Sequence, residues 1–263
     1  MNTRLLDGKS AVITGSGSGV GKAAALLFAE NGAKVVCADV RDDWNEEVAA
    51  QIRAAGSEAE AVHCDVTKRA DIDAAVAKAV SAYGRLDIIY NNAGVASPMT
   101  PQGAMKTFVE ASEEDIDRLL AINVKGVLYG CQAAILQFRA QGGGGVIVNT
   151  ASVAGMIGWG GALYGATKGA VVNLARRLAF ELGPEDIRVN NVCPGSMVTN
   201  FGIGGLGVEL PQAALDSMAS LQPLGRILDP SEPAQVALFL ASDLAKNITG
   251  INVPVDGGVS AGK

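Results

Sequence analysis

The chain has 263 residues, of which 49% are hydrophobic and 18% charged, and its formal net charge at pH 7 is -6. This composition is typical of one α/β domain and excludes a disordered chain, and the acidic balance argues against a nucleic-acid or anionic-membrane partner. The beginning of the chain lacks the apolar core of a secretory signal, and no apolar run reaches the roughly 18 residues of a membrane span, so we expect a cytoplasmic protein.

Four cysteines are scattered singly along the chain, and His63 is the one histidine. Isolated cysteines favour reduced, buried thiols over disulfides or a metal site. A Ser-His-Asp triad and a histidine-ligated zinc site would both depend on His63, which stands at the end of a predicted strand. We therefore expect neither, and we predict no bound metal.

The first predicted unit is a strand (10–13), a glycine-rich turn (14–21) and a helix (22–30). The glycines of the turn have the spacing G-x-x-x-G-x-G and are Gly15, Gly19 and Gly21. They let the backbone turn sharply and let a pyrophosphate approach the free N–H groups of the helix N-terminus. This unit predicts a dinucleotide site.

The second predicted strand, 33–38, is followed by Asp39. A carboxylate at this place accepts hydrogen bonds from the adenosine ribose and repels a 2′-phosphate, so it selects NAD over NADP. The alternative is an acidic strand end that only faces solvent. Ser18 and Val40 offer no cation to a phosphate, and Arg41 is the one nearby cation.

The same alternation of strand and helix continues to the end of the chain. Further strands are predicted at 58–63, 86–90, 146–150, 188–193 and 251–255, and further helices at 43–55, 68–83, 112–140, 163–182 and 231–242. Seven strands alternating with six helices predict an α/β fold, a Rossmann-like, doubly wound parallel sheet with helices on both faces, in a single domain over 1–263. The segment 196–223 is rich in Gly, Leu, Met and Phe, and we interpret it as a lid over a ligand.

Tyr164 and Lys168 are spaced to lie on one face of a helix, one turn apart. An ammonium there is expected to lower the pKa of the tyrosine, so that the phenol can act as a base. Ser152 follows the strand 146–150, at the edge of the sheet where open α/β folds bind ligands, and would hold a substrate oxygen. Asn123 falls inside a predicted helix, where asparagine is unfavourable unless its side chain has a task.

Together these motifs give the chain a resemblance to the classical short-chain dehydrogenase/reductase family from Lys9 to Gly258. The resemblance is carried by Thr14–Gly21 with its three glycines, Asp65, Asn91-Asn-Ala-Gly94, Asn123, Ser152, Tyr164-x-x-x-Lys168, Pro194-Gly195 and Thr199. It implies that Asp65 and Val66 flank the adenine, that Asn91 stabilises the central sheet, that Thr199 with Val198 contacts the nicotinamide amide, and that Asn123 holds a proton-relay water.

The resemblance also implies the site residues as two sets. The catalytic set is Asn123, Ser152, Tyr164 and Lys168. The NAD-binding set is Gly15, Ser18, Gly19, Val20, Gly21, Asp39, Val40, Asp65, Val66, Asn92, Ala93, Gly94, Tyr164, Lys168, Pro194, Gly195, Val198 and Thr199.

We interpret the chain as an NAD-dependent oxidoreductase that interconverts a hydrophobic secondary alcohol, cyclic compounds included, and its ketone. The predicted substrate residues are Val95, Met99, Ser152, Met156, Ile157, Trp159, Met197, Phe201 and Leu206; packing or subunit contact is the alternative use of the apolar ones. Rival functions are a 3-oxoacyl-carrier-protein reductase and a cofactor-sensing binding protein on the same fold. By family analogy we expect a homo-oligomer, a tetramer, that pairs the helices 112–140 and 163–182.

Overall fold

Seven strands form one parallel sheet in the computed structural model, which describes residues 4–199 and 210–262. The strands are β1 (Ser10–Thr14), β2 (Lys34–Asp39), β3 (Ala59–His63), β4 (Ile88–Asn91), β5 (Gly145–Thr150), β6 (Ile187–Pro194) and β7 (Asn252–Val255). Their order in the sheet is β3-β2-β1-β4-β5-β6-β7. The strand order reverses between β1 and β4, which creates a crevice at the carboxyl ends of these two strands. The predicted doubly wound parallel sheet is confirmed.

Helices cover both faces of this sheet. They are α1 (Gly19–Glu30), α2 (Asp42–Ala54), α3 (Arg69–Tyr83), α4 (Glu113–Leu119), α5 (Gly126–Gln141), α6 (Ala162–Leu182), α7 (Gln212–Ser220) and α8 (Ser231–Ala241). Within β1, Val12 belongs to a core cluster with α3, α5 and α6, whereas Ala11 and Ile13 belong to a cluster with α1, α2 and α8. Alternate strand residues point to opposite faces, so one apolar strand supplies both cores.

The predicted helix 112–140 is three segments in the structure. A π-helical stretch, Leu120–Lys125, joins α4 to α5 without a break, and it contains Asn123. A π-helical turn widens the helix by one residue and is frequent at functional sites. It explains how a polar residue occupies the middle of a core helix.

The helical stretch Glu113–Gln141 is long and apolar enough to cross a membrane by length and composition, and 44% of its most apolar window is buried inside the protein. The sequence expectation concerned uninterrupted apolar runs, and Arg118, Asn123 and Lys125 interrupt this stretch. One such helix is weak evidence for a membrane, because a core helix of a soluble protein meets the same criterion. Here Val127, Cys131 and Phe138 belong to the core.

Helix α7 lies inside the segment 196–223, which the sequence analysis interpreted as a lid over a ligand. The predicted number of six helices is wrong for the described residues, in which seven helical units accompany the sheet when α4 and α5 are counted as one. No residue of α7 is buried. The helix therefore lies on the surface rather than in either core.

Four asparagines form a hydrogen-bonded ladder across β4 to β7. The Nδ2 atom of Asn91 donates to Asn149 Oδ1 at 2.9 Å, Asn149 donates to Asn191 at 2.9 Å, and Asn191 donates to Asn252 at 2.7 Å. The four residues are paired by register on neighbouring strands. Asn91 Oδ1 accepts no hydrogen bond and faces Gly130 of α5, where a β-carbon would lie 1.9 Å from that oxygen.

Candidate active site

The crevice between β1 and β4 is closed at its base by hydrogen bonds between the glycine turn and the segment after β4. Thr14 Oγ1 accepts from the backbone N–H of Asn92 at 3.0 Å and of Ala93 at 3.2 Å, and Asn92 Nδ2 donates to the Thr14 carbonyl at 3.1 Å. A β-carbon on Gly15 would lie 2.9 Å from Ala93 Cα. The two segments can approach this closely because position 15 has no side chain, and Gly15 has a positive φ of 67°.

Helix α1 begins at Gly19 and points its N-terminus into this crevice. Ser18 at the N-cap makes no side-chain hydrogen bond to the first turn, and the first turn contains no acidic residue. The first N–H groups of a helix have no intrahelical partner, and together with the helix dipole they favour an anion. The unpaired N–H groups and the absence of an acidic residue in the first turn of α1 are the features that a site for the pyrophosphate of a dinucleotide needs.

Asp39, at the end of β2, lies beside the glycine turn. Its Oδ2 accepts from the backbone N–H of Gly17 at 2.9 Å, and its Oδ1 accepts from that of Arg41 at 2.9 Å. The guanidinium of Arg41 lies 4.3 Å from the ring centroid of Trp44 and forms an ion pair with Asp43 at 3.2 Å. The carboxylate therefore faces the turn, and the nearest cation is held by two neighbours.

The remaining residues predicted on the adenine side differ in exposure. Val40 is exposed, whereas Val66 is buried in the core against Gly126 of α5. Asp65 Oδ1 accepts from the hydroxyl of Thr67 at 2.7 Å, and this hydrogen bond lowers the pKa of Asp65. Val20, in α1, packs against the other core cluster.

Tyr164, Lys168 and Ser152 come together at the carboxyl end of β5. Ser152 precedes a short 3-10 helix, Val153–Gly155, and its hydroxyl accepts from the backbone N–H of Ala154 at 3.1 Å. A hydrogen bond also joins Ser152 to Tyr164. Lys168 Nζ lies 5.8 Å from the centroid of the Tyr164 ring. The structure thus brings these three predicted catalytic side chains together.

The pKa values of these groups are governed by burial. Burial raises the pKa of Tyr164 to about 12, and its hydrogen bond with Ser152 opposes that rise. Burial lowers the pKa of Lys168 to about 8. The sequence prediction that Lys168 lowers the tyrosine pKa differs from this result, because desolvation disfavours the charged forms of both groups and has the largest effect on each pKa.

Lys168 is 1% exposed, and its ammonium donates to the backbone carbonyl of Thr150 at 2.8 Å. The Thr150 hydroxyl lies 2.8 Å from Tyr90 Oη and 3.0 Å from Asn92 Oδ1. Thr150 thus connects Lys168 to the segment that closes the glycine turn. Sequence reasoning missed Thr150, and its place at the end of β5, two residues before Ser152, is the signal that points to it.

Asn123 is fully buried and clamps the chain after β4. Its Oδ1 accepts from the Val95 N–H at 2.8 Å, and its Nδ2 donates to the Val95 carbonyl at 2.9 Å and to Thr167 Oγ1 at 3.3 Å. Thr167 in turn donates to the Tyr164 carbonyl at 2.7 Å. Both amide protons of Asn123 are engaged, so its side chain holds Val95 against the helix that carries the tyrosine.

The segment after β6 approaches the glycine turn from the other side. The Gly195 N–H donates to the Val255 carbonyl at 2.8 Å, and a β-carbon on Gly195 would lie 2.9 Å from Asp256 Cα. A β-carbon on Gly19 would lie 3.5 Å from Thr199 Cβ, which brings the predicted nicotinamide contact to the start of α1. Val198 is exposed.

The predicted substrate residues that the structure describes lie in several separate loops. Met99 pairs with Met105 in an antiparallel bridge, and Met197 pairs with Leu228. Met156 is exposed. Ile157 and Trp159 pack against the core, and packing is one of the two alternatives that the sequence analysis left open for the apolar residues. Phe201 and Leu206 lie outside the described residues.

Comparison with known proteins gives matches along nearly the whole chain. A family model described as enoyl-(acyl carrier protein) reductase matches residues 15–260. A 2,5-dichloro-2,5-cyclohexadiene-1,4-diol dehydrogenase of Sphingobium indicum is 40% identical over 98% of this chain and 98% of its own length.

Two solved structures have the same architecture. A short-chain type dehydrogenase/reductase from Mycobacterium marinum is 35% identical, with a TM-score of 0.87 over 98% of this chain and 99% of its own. A 3-ketoacyl-(acyl-carrier-protein) reductase from Brucella melitensis, complexed with NADH, is 39% identical, with a TM-score of 0.85 over 97% of this chain and 99% of its own.

Proposed function

The chain belongs to the short-chain dehydrogenase/reductase family, and from this premise we propose that it is a cytoplasmic, NAD-dependent oxidoreductase acting on the CH–OH group of a hydrophobic secondary alcohol or on its ketone. The observation that carries the proposal is the hydrogen-bonded group of Ser152 and Tyr164 with Lys168 beside them, at the carboxyl edge of the sheet. An apolar alcohol screen with NAD, followed by absorbance of the reduced cofactor, tests it. No turnover of any secondary alcohol or ketone would overturn it.

The residues around the crevice fit a dinucleotide. The glycine turn and the first N–H groups of α1 would hold the pyrophosphate, Asp39 the adenosine ribose, and Lys168 the nicotinamide ribose. The bound nicotinamide supplies the hydride acceptor or donor. Asp39 favours NAD, because its carboxylate would repel a 2′-phosphate while Arg41 is held by Asp43 and Trp44.

Tyr164 is the proton-transfer group in this proposal. Its raised pKa of about 12 keeps the phenol protonated at neutral pH, which is the form that donates a proton to a ketone oxygen during reduction. Alcohol oxidation requires the phenolate, so it is favoured by higher pH. Ser152 donates a hydrogen bond to the same substrate oxygen and stabilises its developing negative charge.

Asn123 has two roles under this proposal. Its amide holds Val95 and, through Thr167, the first turns of α6. Its Oδ1 retains one free lone pair beyond the bond from Val95, which is where a relay water can donate. Proton transfer from Tyr164 to solvent would use that water.

The supporting comparison for the substrate is the Sphingobium indicum relative, whose name gives a cyclic diol. A second candidate function is reduction of a 3-oxoacyl thioester, and the observation that favours it is the Brucella melitensis reductase with its bound NADH. Acetoacetyl-pantetheine thioester and a cyclic ketone, compared as kcat/KM with NADH, separate the two functions.

We extend the proposal to the quaternary structure and to the lid. Leu136 of α5 and Phe180 of α6 are exposed apolar side chains that a symmetric homotetramer would cover.

The lid is the segment 196–223, which would close over cofactor and substrate. In its described part, 196–199 and 210–223, Gln222 Nε2 donates a hydrogen bond to the Ser196 carbonyl at 3.2 Å and so links the two ends of the segment. Hydrogen exchange at α7 that is unchanged by NAD and substrate would overturn the lid.

A further inference from the structure

The chain between β4 and α4 folds into a short hairpin, residues 97–106, which we call the methionine hairpin. Met99 and Met105 face each other in an antiparallel bridge, and the Thr100 N–H donates to the Ala104 carbonyl at 2.7 Å. These contacts give an irregular loop a defined shape.

The methionine hairpin is held at both ends. Before it, Val95 is clamped by the two hydrogen bonds with Asn123. At its end, the Lys106 ammonium lies 2.6 Å from a carboxylate oxygen of Asp115 on α4, and both side chains are largely buried. The hairpin therefore has a fixed position relative to the helix that carries Asn123.

The hairpin contacts the loop that leads into the tyrosine helix. A β-carbon on Gly161 would lie 2.7 Å from Ser97 Oγ and 2.9 Å from Met105 Sδ. A β-carbon on the preceding Gly160 would lie 3.8 Å from Cδ1 of the Tyr164 ring. Ser97 and Met105 thus pack directly against Gly161, next to Gly160 at the tyrosine ring, and a side chain at position 161 would displace both of them.

These two side chains offer different chemistry. The Ser97 hydroxyl is half-buried and makes no hydrogen bond within residues 4–199 and 210–262. It can both donate and accept. The Met105 side chain is 43% exposed, and its flexible thioether adapts to an apolar surface. Neither residue was predicted from the sequence.

From this arrangement we propose that Ser97 binds a second oxygen of the substrate while Met105 covers its carbon frame, so that the substrate class is a diol or hydroxyketone rather than a simple alcohol. Tyr164 and Ser152 act on the reacting oxygen, and Ser97 recognises the other one. This inference rests on the proposed function and assigns the specificity of the same site.

The test compares kcat/KM for cis-cyclohexane-1,2-diol and cyclohexanol with NAD. Ser97→Ala is expected to lower the diol-to-alcohol ratio about tenfold, because one hydrogen bond to the second oxygen is lost. Gly161→Ala is expected to lower the same ratio, since the added methyl displaces the Ser97 and Met105 side-chain ends without a backbone clash. Gly158→Ala is the matched control, because a β-carbon there meets no atom within 4 Å, and its ratio should equal that of the unmodified protein.

The outcomes separate the inference from the proposed function. Turnover by the unmodified protein together with a Ser97→Ala ratio equal to that of Gly158→Ala would overturn the role of Ser97 and leave the proposed function intact. Failure of the unmodified protein to turn over any secondary alcohol or ketone would overturn both. Circular dichroism of each variant shows whether the fold is retained. Met105→Ala should raise KM for both substrates and leave their kcat/KM ratio unchanged, and an unchanged KM would overturn the role of Met105 as the cover of the carbon frame.

Discussion

The buried ammonium of Lys168 donates a hydrogen bond to the backbone carbonyl of Thr150, at 2.8 Å. A carbonyl accepts from an ammonium without requiring a counter-charge, so the lysine is positioned but its charge is not neutralised by this contact. Burial lowers the pKa of Lys168, because desolvation of the charged form outweighs the opposing Coulombic effect of Cys193.

Lys168→Met is expected to change the pH dependence of stability. The pKa of Lys168 is about 8 in the folded protein and near 10.5 in the unfolded chain. Between these values the unfolded chain binds more protons, so the contribution of Lys168 to the free energy of unfolding increases as pH rises from 8 to 10. Urea unfolding of the cofactor-free parent and variant at pH 7 and pH 10 tests this. The free energy of unfolding of the parent should rise relative to that of the variant, since the four cysteines, whose pKa values are raised by burial, affect both proteins alike. Parallel pH profiles of both proteins would contradict the prediction.

Tyr164→Phe is expected to reduce turnover by about 10²–10⁴-fold while leaving the fold and NAD binding intact, because the positioned proton-transfer group is removed and the ring is kept. Turnover of the best alcohol and the Kd for NAD are measured on the same preparation. Tyr129→Phe, a tyrosine of α5, is the control for loss of a phenol elsewhere. Near-parent turnover in Tyr164→Phe would remove Tyr164 from the mechanism.

Asp39→Ala is expected to weaken NAD binding and to narrow a preference over NADP that should be on the order of a hundredfold in kcat/KM. Asp39 accepts a hydrogen bond from the Gly17 N–H, so part of the loss of NAD affinity reflects a less ordered glycine turn. The gain in NADP affinity reflects removal of the repulsion between the carboxylate and the 2′-phosphate. Asp42→Ala removes an exposed carboxylate nearby and serves as the control. The Kd and kcat/KM values for NAD and NADP are measured for the parent and both variants. Equal kcat/KM values for NAD and NADP in the parent would refute the NAD assignment.

Thr150→Val is expected to lower the free energy of unfolding by about 1–3 kcal/mol, since the Tyr90 hydroxyl and Asn92 Oδ1 would lose their shared partner inside the protein. The carbonyl that holds Lys168 remains. Tyr90→Phe removes one partner and leaves the contact between Thr150 and Asn92, so a smaller loss is expected. Urea unfolding of both variants checks the order, and an equal or reversed order would show that the Thr150 hydroxyl is not the central group.

Phe180→Glu is expected to convert the proposed tetramer into smaller species, because the Phe180 side chain is 85% exposed on α6 and a charge there would oppose burial between subunits. Val109→Glu, at another exposed apolar position, is the control. Light scattering at micromolar concentration gives the mass of each. A parent mass equal to the monomer's 26.8 kDa would refute the oligomer.

The order of strands and helices could be predicted because each unit has a local signature: an apolar run, a turn with glycine or asparagine, and a helix-forming segment. Helix α7 was missed because the surrounding Gly-rich segment dominated the interpretation, although Pro211 followed by Gln212-Ala-Ala-Leu indicates a helix start. Local spacing also placed Tyr164 and Lys168 on one helix.

Contacts between distant segments were beyond prediction from one sequence. The hydrogen bond from Lys168 to Thr150 depends on how deeply α6 packs against β5, and the approach of Met105 to Gly161 depends on the hairpin's fold. The pKa values depend on the same packing, since burial rather than the i,i+4 spacing sets them. Spacing and family resemblance predicted the reacting groups, whereas packing sets the pKa values of Tyr164 and Lys168.

The asparagine ladder across β4 to β7 has a consequence for how this half of the sheet assembles. Each rung satisfies an amide of the next strand, so a strand that docks one residue out of register would leave buried amides without partners on both sides. Partly assembled or slipped sheets are therefore penalised at several rungs at once, and the four strands should order cooperatively. Replacement of one asparagine by an apolar residue would leave the amide of a neighbouring asparagine without its partner, so the neighbours would have to be replaced as well. The effects of substitutions at these four positions on stability should therefore not be additive.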